Sequence, residues 1–231
     1  MKRSQNRKKD DLRPISITNG FIQTAHGSTL IEWGKNKILC TATIADETPP
    51  WLEGKNQGWI TAEYAMLPTA THQRKQRERK SLGGRTYEIQ RLIGRSLRAV
   101  ANLSELPEKT IYIDCDVLQA DGGTRCASIT GAYIALYQAL KTEGLESALN
   151  DTLVAVSVGI LKDEVLLDLD YNEDSQARVD MNFVVTGSKK FVEIQGTGEE
   201  STFSQEELSE MTSTALAGIE KVITVQKKYL K

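Results

Sequence analysis

The sequence predicts an α+β protein made of two similarly built halves, residues 1–150 and 151–231. Three observations predict it. Apolar residues alternate with period two from Ile15 to Ala45, as in ILCTATIA, where Ile38, Cys40, Ala42 and Ile44 share one side. Helical spacing then follows two separate glycine pairs, Gly83-Gly84 and Gly122-Gly123. Beyond residue 150 the pattern resets to four strand-like runs and a closing helix. The order is strands, helix, strand, helix, strands, helix, which differs from a regular βαβ repeat.

Each element has its own justification. Ile15–Ala45 reads as antiparallel strands, and Trp51–Met66 as a strand-and-loop region. The first helix places Ile89, Leu92, Ile93, Ser96, Leu97 and Val100 on one face, with Arg91, Arg95 and Arg98 elsewhere around it. Thr110–Leu118 alternates again and is a predicted strand; its Asp114 and Asp116 are expected to be structural or solvent-facing. The second helix is predicted from Cys126 to Lys141, with Ile129, Ala132, Tyr133, Leu136 and Leu140 facing inward. LVAVSVGI, EVLLDLD, DMNFVVTG and KFVEIQG are four predicted strands joined by short turns. Ser204 and Glu207 have capping-box spacing and start the last helix, whose apolar face runs through Leu208, Met211, Ala215, Ile219, Val222 and Ile223.

Composition narrows the class. Hydrophobic residues make up 39% and charged residues 26%, enough to bury a core in a soluble protein. There is no apolar run long enough to cross a membrane and no secretory leader, so a cytoplasmic location is expected. Cys40, Cys115 and Cys126 have no metal-binding or disulfide spacing, which fits a reducing compartment. With only His26 and His72, a histidine-rich metal site is excluded; carboxylates would have to hold any metal, which favours a hard ion such as magnesium. The net charge is −2, yet two basic clusters stand out. One comprises Lys2, Arg3, Arg7, Lys8, Lys9 and Arg13; the other is HQRKQRERK, from His72 to Lys80. They read either as patches for a polyanion or as a solvated tail and loop.

Two constellations carry chemistry. In LQADGGTRCASITG, a strand runs through two glycines into a helix, with Thr124 and Arg125 at the junction. Small residues, unpaired N–H groups at a helix start and a guanidinium together suit a phosphate. The competing reading is an ordinary tight turn. A second glycine-to-helix junction ends in Arg85, and two guanidiniums can grip one tetrahedral anion from different directions. In DLDYNEDSQARVD, Asp168, Asp170, Glu173, Asp174 and Asp180 crowd a connection. Asp174 is expected at the end of one strand and Asp180 at the start of the next. That pair suits a divalent ion or a general acid, against the alternative of a solvated acidic turn. Cys126 is either a packed residue or a thiolate stabilised by the helix start.

Several long segments resemble the ribonuclease PH family: DDLRP (10–14), the Gln57–Pro68 segment ending TAEYAMLP, GGRTYEIQRLIGRSLR (83–98), CDVLQADGGTRCASITGA (115–132), VSVGI (156–160), DLDYNEDSQARVDMN (168–182) and EIQGTGE (193–199). The resemblance runs nearly end to end. It implies one ribonuclease PH domain over residues 1–231, with two related sheet-and-helix halves in a ribosomal-protein-like βαβ arrangement. It also implies a homo-hexameric ring, a trimer of dimers. The implied activity is phosphorolytic trimming of RNA 3′ ends, tRNA precursors above all, with inorganic phosphate as co-substrate. Nucleoside diphosphates are released, and reverse addition is allowed.

Residue by residue, the resemblance implies phosphate binding by Arg85, Gly123, Thr124 and Arg125. It implies catalysis and magnesium binding by Asp174 and Asp180, and RNA contacts by Arg74, Lys75, Arg77, Arg79 and Lys80. The family's N-terminal arginine–glycine–arginine signature is here RSQNR, without the glycine. Three alternatives stay open: an inactive RNA-binding ring subunit, a hydrolytic metal-dependent nuclease, and a purely structural assembly protein.

Overall fold

In the computed structural model, which describes residues 3–78, 80–198 and 201–230, the chain opens with a three-strand meander. β1 (Ile15–Asn19), β2 (Gly27–Trp33) and β3 (Asn36–Ala45) pair antiparallel. β4 (Trp59–Met66), α1 (Gly84–Arg98) and β5 (Thr110–Gln119) then form a crossover, because β4 and β5 pair parallel. β5 inserts between β3 and β4, giving a five-stranded sheet in the order β1-β2-β3-β5-β4.

α2 (Thr124–Thr142) leads to the second sheet: β6 (Leu153–Leu161), β7 (Glu164–Leu167), β8 (Val179–Thr186) and β9 (Phe191–Gly198), in the order β7-β6-β8-β9. A four-residue helix, α3 (Tyr171–Asp174), interrupts the path from β7 to β8. α4 (Gln205–Gln226) closes the fold; the Ser204 hydroxyl accepts from the Glu207 amide, and the Glu207 carboxylate accepts from the Ser204 amide.

α2 touches β2 and β3 on one side and β6 on the other, so it lies between the two sheets, and α4 covers the far face of the second. This position explains a departure from the expected one-sided helix. Ile129, Ala132, Tyr133, Leu136 and Leu140 are buried as predicted, but so are Ala127, Ser128, Ile134, Ala135 and Ala139 on the remaining faces. Small residues permit the close approach: a Cβ at Gly131 would stand 2.9 Å from both the Cys40 sulfur and an Ile31 methyl. β6 is buried along its whole length because helices cover both of its faces.

Three of the N-terminal basic residues form neither a polyanion patch nor a solvated tail; Lys8 and Lys9 are exposed, and Lys2 lies outside the described residues. Arg3, Arg7 and Arg13 are buried. Arg3 makes a two-pronged pair with Glu173, Nε–Oε1 2.7 Å and Nη2–Oε2 2.9 Å. Arg7 adds a contact of 3.1 Å to Glu173 and donates to the Asp168 carbonyl. Arg13 pairs with Asp168 at 2.6 Å, and its own amide donates to the same carboxylate. The turn between Arg3 and Arg7 runs through left-handed backbone at Gln5 (φ 58°) and Asn6 (φ 54°), a conformation that glycine adopts more readily.

Removing one partner of such a pair strands a buried charge. Glu173→Gln should therefore lower the unfolding free energy by about 3 kcal/mol or more, read from urea denaturation. A loss within error of zero would contradict the clasp.

Candidate active site

The phosphate candidates are positioned by backbone. Gly122 (φ 74°) and Gly123 (φ 67°) both adopt left-handed conformations, and the turn they make starts α2 at Thr124. The N–H groups of the first helical turn therefore open onto the site. Gly122 has a second reason to lack a side chain: a Cβ there would lie 2.7–2.8 Å from the backbone of Leu169, Asp170 and Tyr171. The glycine turn is thus pressed against the start of α3, which ends at Asp174.

Arg13 locks the same junction from behind. It donates to the carbonyls of Asp121 (2.5 Å) and Gly122 (3.3 Å) while paired with Asp168, which also accepts from the Trp33 indole at 2.9 Å. Asn36 accepts from the Asp121 amide and donates to the Gly122 carbonyl, both at 2.6 Å.

A cavity of about 370 Å³ forms where these elements meet. Lys75, Arg85, Gly123, Thr124, Arg125, Asp174 and Asp180 all line it. The structure therefore brings together both glycine-to-helix junctions, the acidic pair and one residue of the basic run. Asp174 is not at a strand end, as the sequence suggested, but is the last residue of α3. Asp180 is the second residue of β8 and shares a face with Asn182. Of the five carboxylates in that stretch, Asp168, Asp170 and Glu173 face the N-terminal arginines, while Asp174 and Asp180 border the cavity.

The arginines differ in their surroundings. Arg85, in the first turn of α1, is exposed. Arg125 is mostly buried and held from the side: it donates to Gln195 on β9 at 3.1 Å and lies 3.6 Å from the Glu88 carboxylate, and Gln195 in turn donates to Glu88. These contacts fix the guanidinium plane before any anion arrives.

In the basic segment, the Lys75 amide donates to the Pro68 carbonyl, and Leu67 and Ala120 tie the segment to the end of β5. That places Lys75 on the cavity wall. Arg74, Arg77 and Lys80 are exposed but do not line it, and Arg79 lies outside the described residues. Burial and the neighbouring Asp114 raise the Asp116 carboxyl, with Arg77 opposing them.

Cys126 does not offer a thiolate. It is buried, its sulfur donates to Asn182 Oδ1 at 3.2 Å, and burial pushes its pKa far up despite the nearby Arg125. Sequence reasoning assigns no site role to Tyr64, Ser157 or Asn182 and places Arg13 only in a basic cluster. Two of them carried a signal: Ser157 is the one polar residue of β6, and Asn182 sits between Met181 and Phe183 in β8, and buried polar groups need partners.

Asp170 caps α3 by accepting from the Glu173 amide. Burial alone would raise its pKa, but the Ser4 hydroxyl, that amide and Arg7 outweigh burial and lower it. A depressed folded pKa stabilises above the unfolded value and is lost as pH falls through the folded one. The stability gap between the parent and Asp170→Asn should therefore narrow below about pH 4 in thermal melts. A constant gap would count against the cap's charge.

The cavity joins donors suited to a phosphate with two carboxylates, and comparison with known proteins names the family. The model of the 3′ exoribonuclease family, domain 1, matches residues 11–141, and that of domain 2 matches residues 151–218. The chain belongs to the 3′ exoribonuclease family. It is 54% identical to ribonuclease PH of Geobacillus sp. (strain WCH70), over 99% of this chain and 92% of that one. Among solved structures, rice Rrp46 is similar with a TM-score of 0.83 at 21% identity, covering 99% of this chain and 100% of that chain. The Archaeoglobus fulgidus exosome with RNA bound to the active site gives a TM-score of 0.81 at 20% identity, covering 99% and 92%. These two likenesses concern the fold. Among the described residues, no helix is long and apolar enough to cross a membrane.

Proposed function

We propose that this chain is a phosphate-dependent 3′→5′ exoribonuclease that trims the 3′ ends of tRNA precursors. The observation that carries the reading is the convergence of Arg85, the Gly123–Arg125 junction and the carboxylates Asp174 and Asp180 on one cavity. The match to ribonuclease PH supports it. A phosphorolytic enzyme requires a place for free phosphate beside the scissile phosphodiester, and the donors of this cavity suit one.

The chemistry follows from those groups. Free phosphate is strongly hydrated, so binding must replace its water with donors: the guanidiniums of Arg85 and Arg125, the Thr124 hydroxyl and the N–H groups at the start of α2. Held there, one phosphate oxygen attacks the last phosphodiester in line, and the P–O3′ bond breaks. On balance the 3′ oxygen takes the proton that the attacking hydrogen phosphate gives up, and the products are a nucleoside diphosphate and RNA shorter by one residue. One P–O bond replaces another, so the reverse addition of nucleotides proceeds under the opposite concentration ratio.

Magnesium fits the residues present. Two carboxylates at a phosphate cavity supply hard oxygen donors, and magnesium typically takes one or two carboxylates together with substrate phosphates. Asp174 and Asp180 would hold it, and it would neutralise charge growing on the phosphoryl oxygens. Lys75, with Arg74, Arg77, Arg79 and Lys80, would attract the RNA backbone. The active form is a homo-hexameric ring, a trimer of dimers, in the cytoplasm.

The test is to incubate the protein with a 3′-extended tRNA and magnesium, with and without phosphate, and to identify the released nucleotide. Diphosphate released only with phosphate supports the reading. Monophosphate released without phosphate would establish a hydrolytic nuclease, and no release an inactive subunit.

A further inference from the structure

The TAEYAMLP segment has so far only contributed a strand, yet one of its side chains reaches the phosphate junction. On β4, Ile60, Ala62 and Tyr64 face the core, and Tyr64 is 4% exposed. Its hydroxyl lies 2.9 Å from Thr124 Oγ1. Thr124 is itself buried at the first position of α2 and lines the cavity between Gly123 and Arg125.

We propose that Tyr64 is a positioning residue for phosphate: it donates its hydroxyl proton to Thr124, so that the Thr124 proton points at the attacking anion. The inference rests on the phosphate reading of the cavity. A threonine hydroxyl has one proton and accepts through its lone pairs. With an anion in the cavity, Thr124 must donate to it, and its accepting side is then filled only if the phenol donates. A chain of two hydroxyls polarises in one direction and strengthens the terminal donor. The phenol is suited to that direction. Burial raises its pKa above the ordinary tyrosine value despite opposing effects from Thr124, Arg85 and Arg125, so it keeps its proton.

The bland alternative is that Thr124 merely satisfies a buried phenol. The two readings differ in what Tyr64→Phe does to each substrate. Under the proposal, Tyr64→Phe raises the KM for inorganic phosphate about fivefold, as expected for a weakened hydrogen bond to a charged group. The KM for nucleoside diphosphate in the reverse reaction rises by a similar factor, because its terminal phosphate occupies the same place. The KM for RNA stays unchanged. Thr124→Val raises the phosphate KM further, and adding Tyr64→Phe to it has no additional effect, since Tyr64 acts only through that hydroxyl.

An unchanged phosphate KM in Tyr64→Phe, an equal rise for RNA, or additive losses in the double variant would overturn the proposal. If Tyr64→Phe does not fold, a ring-fluorinated tyrosine at position 64 decides. It is a stronger donor and should lower the phosphate KM; an unchanged value overturns the proposal. Failure of the underlying reading is seen separately, as turnover of the parent protein that does not depend on phosphate.

Discussion

Arg125→Ala should reduce phosphate-driven trimming about a hundredfold or more while leaving RNA affinity nearly intact. Of the two arginines that line the cavity, Arg125 has its guanidinium plane held in advance, by Gln195 and Glu88. Its paired N–H donors can meet two oxygens of a tetrahedral anion, and the surrounding burial strengthens each contact. Arg125→Lys retains the charge but loses the fork, and should recover only part of the activity. The measurement pairs kcat/KM for phosphate with RNA affinity determined in phosphate-free buffer. Equal losses in both would refute a dedicated phosphate role. Arg85 is exposed, so its removal should cost less than that of Arg125.

Why Arg125 was legible in the sequence and Arg13 was not has a physical answer. A glycine pair before a helix is a local device: Gly122, Gly123, Thr124 and the helix N-terminus lie within a few residues, and their chemistry can be read together. The capping pair Ser204 and Glu207 and the strand alternation are local in the same sense. The contacts of Arg3, Arg7 and Arg13 span more than 150 residues of sequence to Asp168 and Glu173. Sequence spacing carries no trace of them, so six basic residues in thirteen look like a polyanion patch.

The buried second face of α2 escaped for a related reason. The period of a helix reveals one apolar stripe, but not that a second sheet will cover the small residues opposite it. The acidic stretch shows both limits. Its composition announces carboxylate chemistry, yet only the fold separates Asp168, Asp170 and Glu173, which hold the N-terminus, from Asp174 and Asp180, which border the cavity.

That division makes the second large effect specific. Asp180→Asn should lower kcat about a hundredfold to a thousandfold and spare RNA binding. The substitution is isosteric and removes one negative charge from a cavity that must admit phosphate. The KM for phosphate should therefore stay level or fall as kcat collapses, which marks a group used in the transition state more than in the ground state. Asp168→Asn should behave oppositely: it breaks the pair with Arg13, so stability falls first and activity falls with it.

Magnesium titration separates the two roles open to Asp180. If the carboxylate acts by holding the ion, excess magnesium should restore part of the turnover of Asp180→Asn, because weaker binding is overcome by concentration. If it hands a proton to the departing 3′ oxygen, no concentration of metal should help, and the basic limb of the kcat profile, where the acid loses its proton, should disappear. Near-normal turnover in Asp180→Asn would remove Asp180 from the mechanism altogether and leave Asp174, among the described residues, as the acidic residue of the cavity wall with a claim to the chemistry.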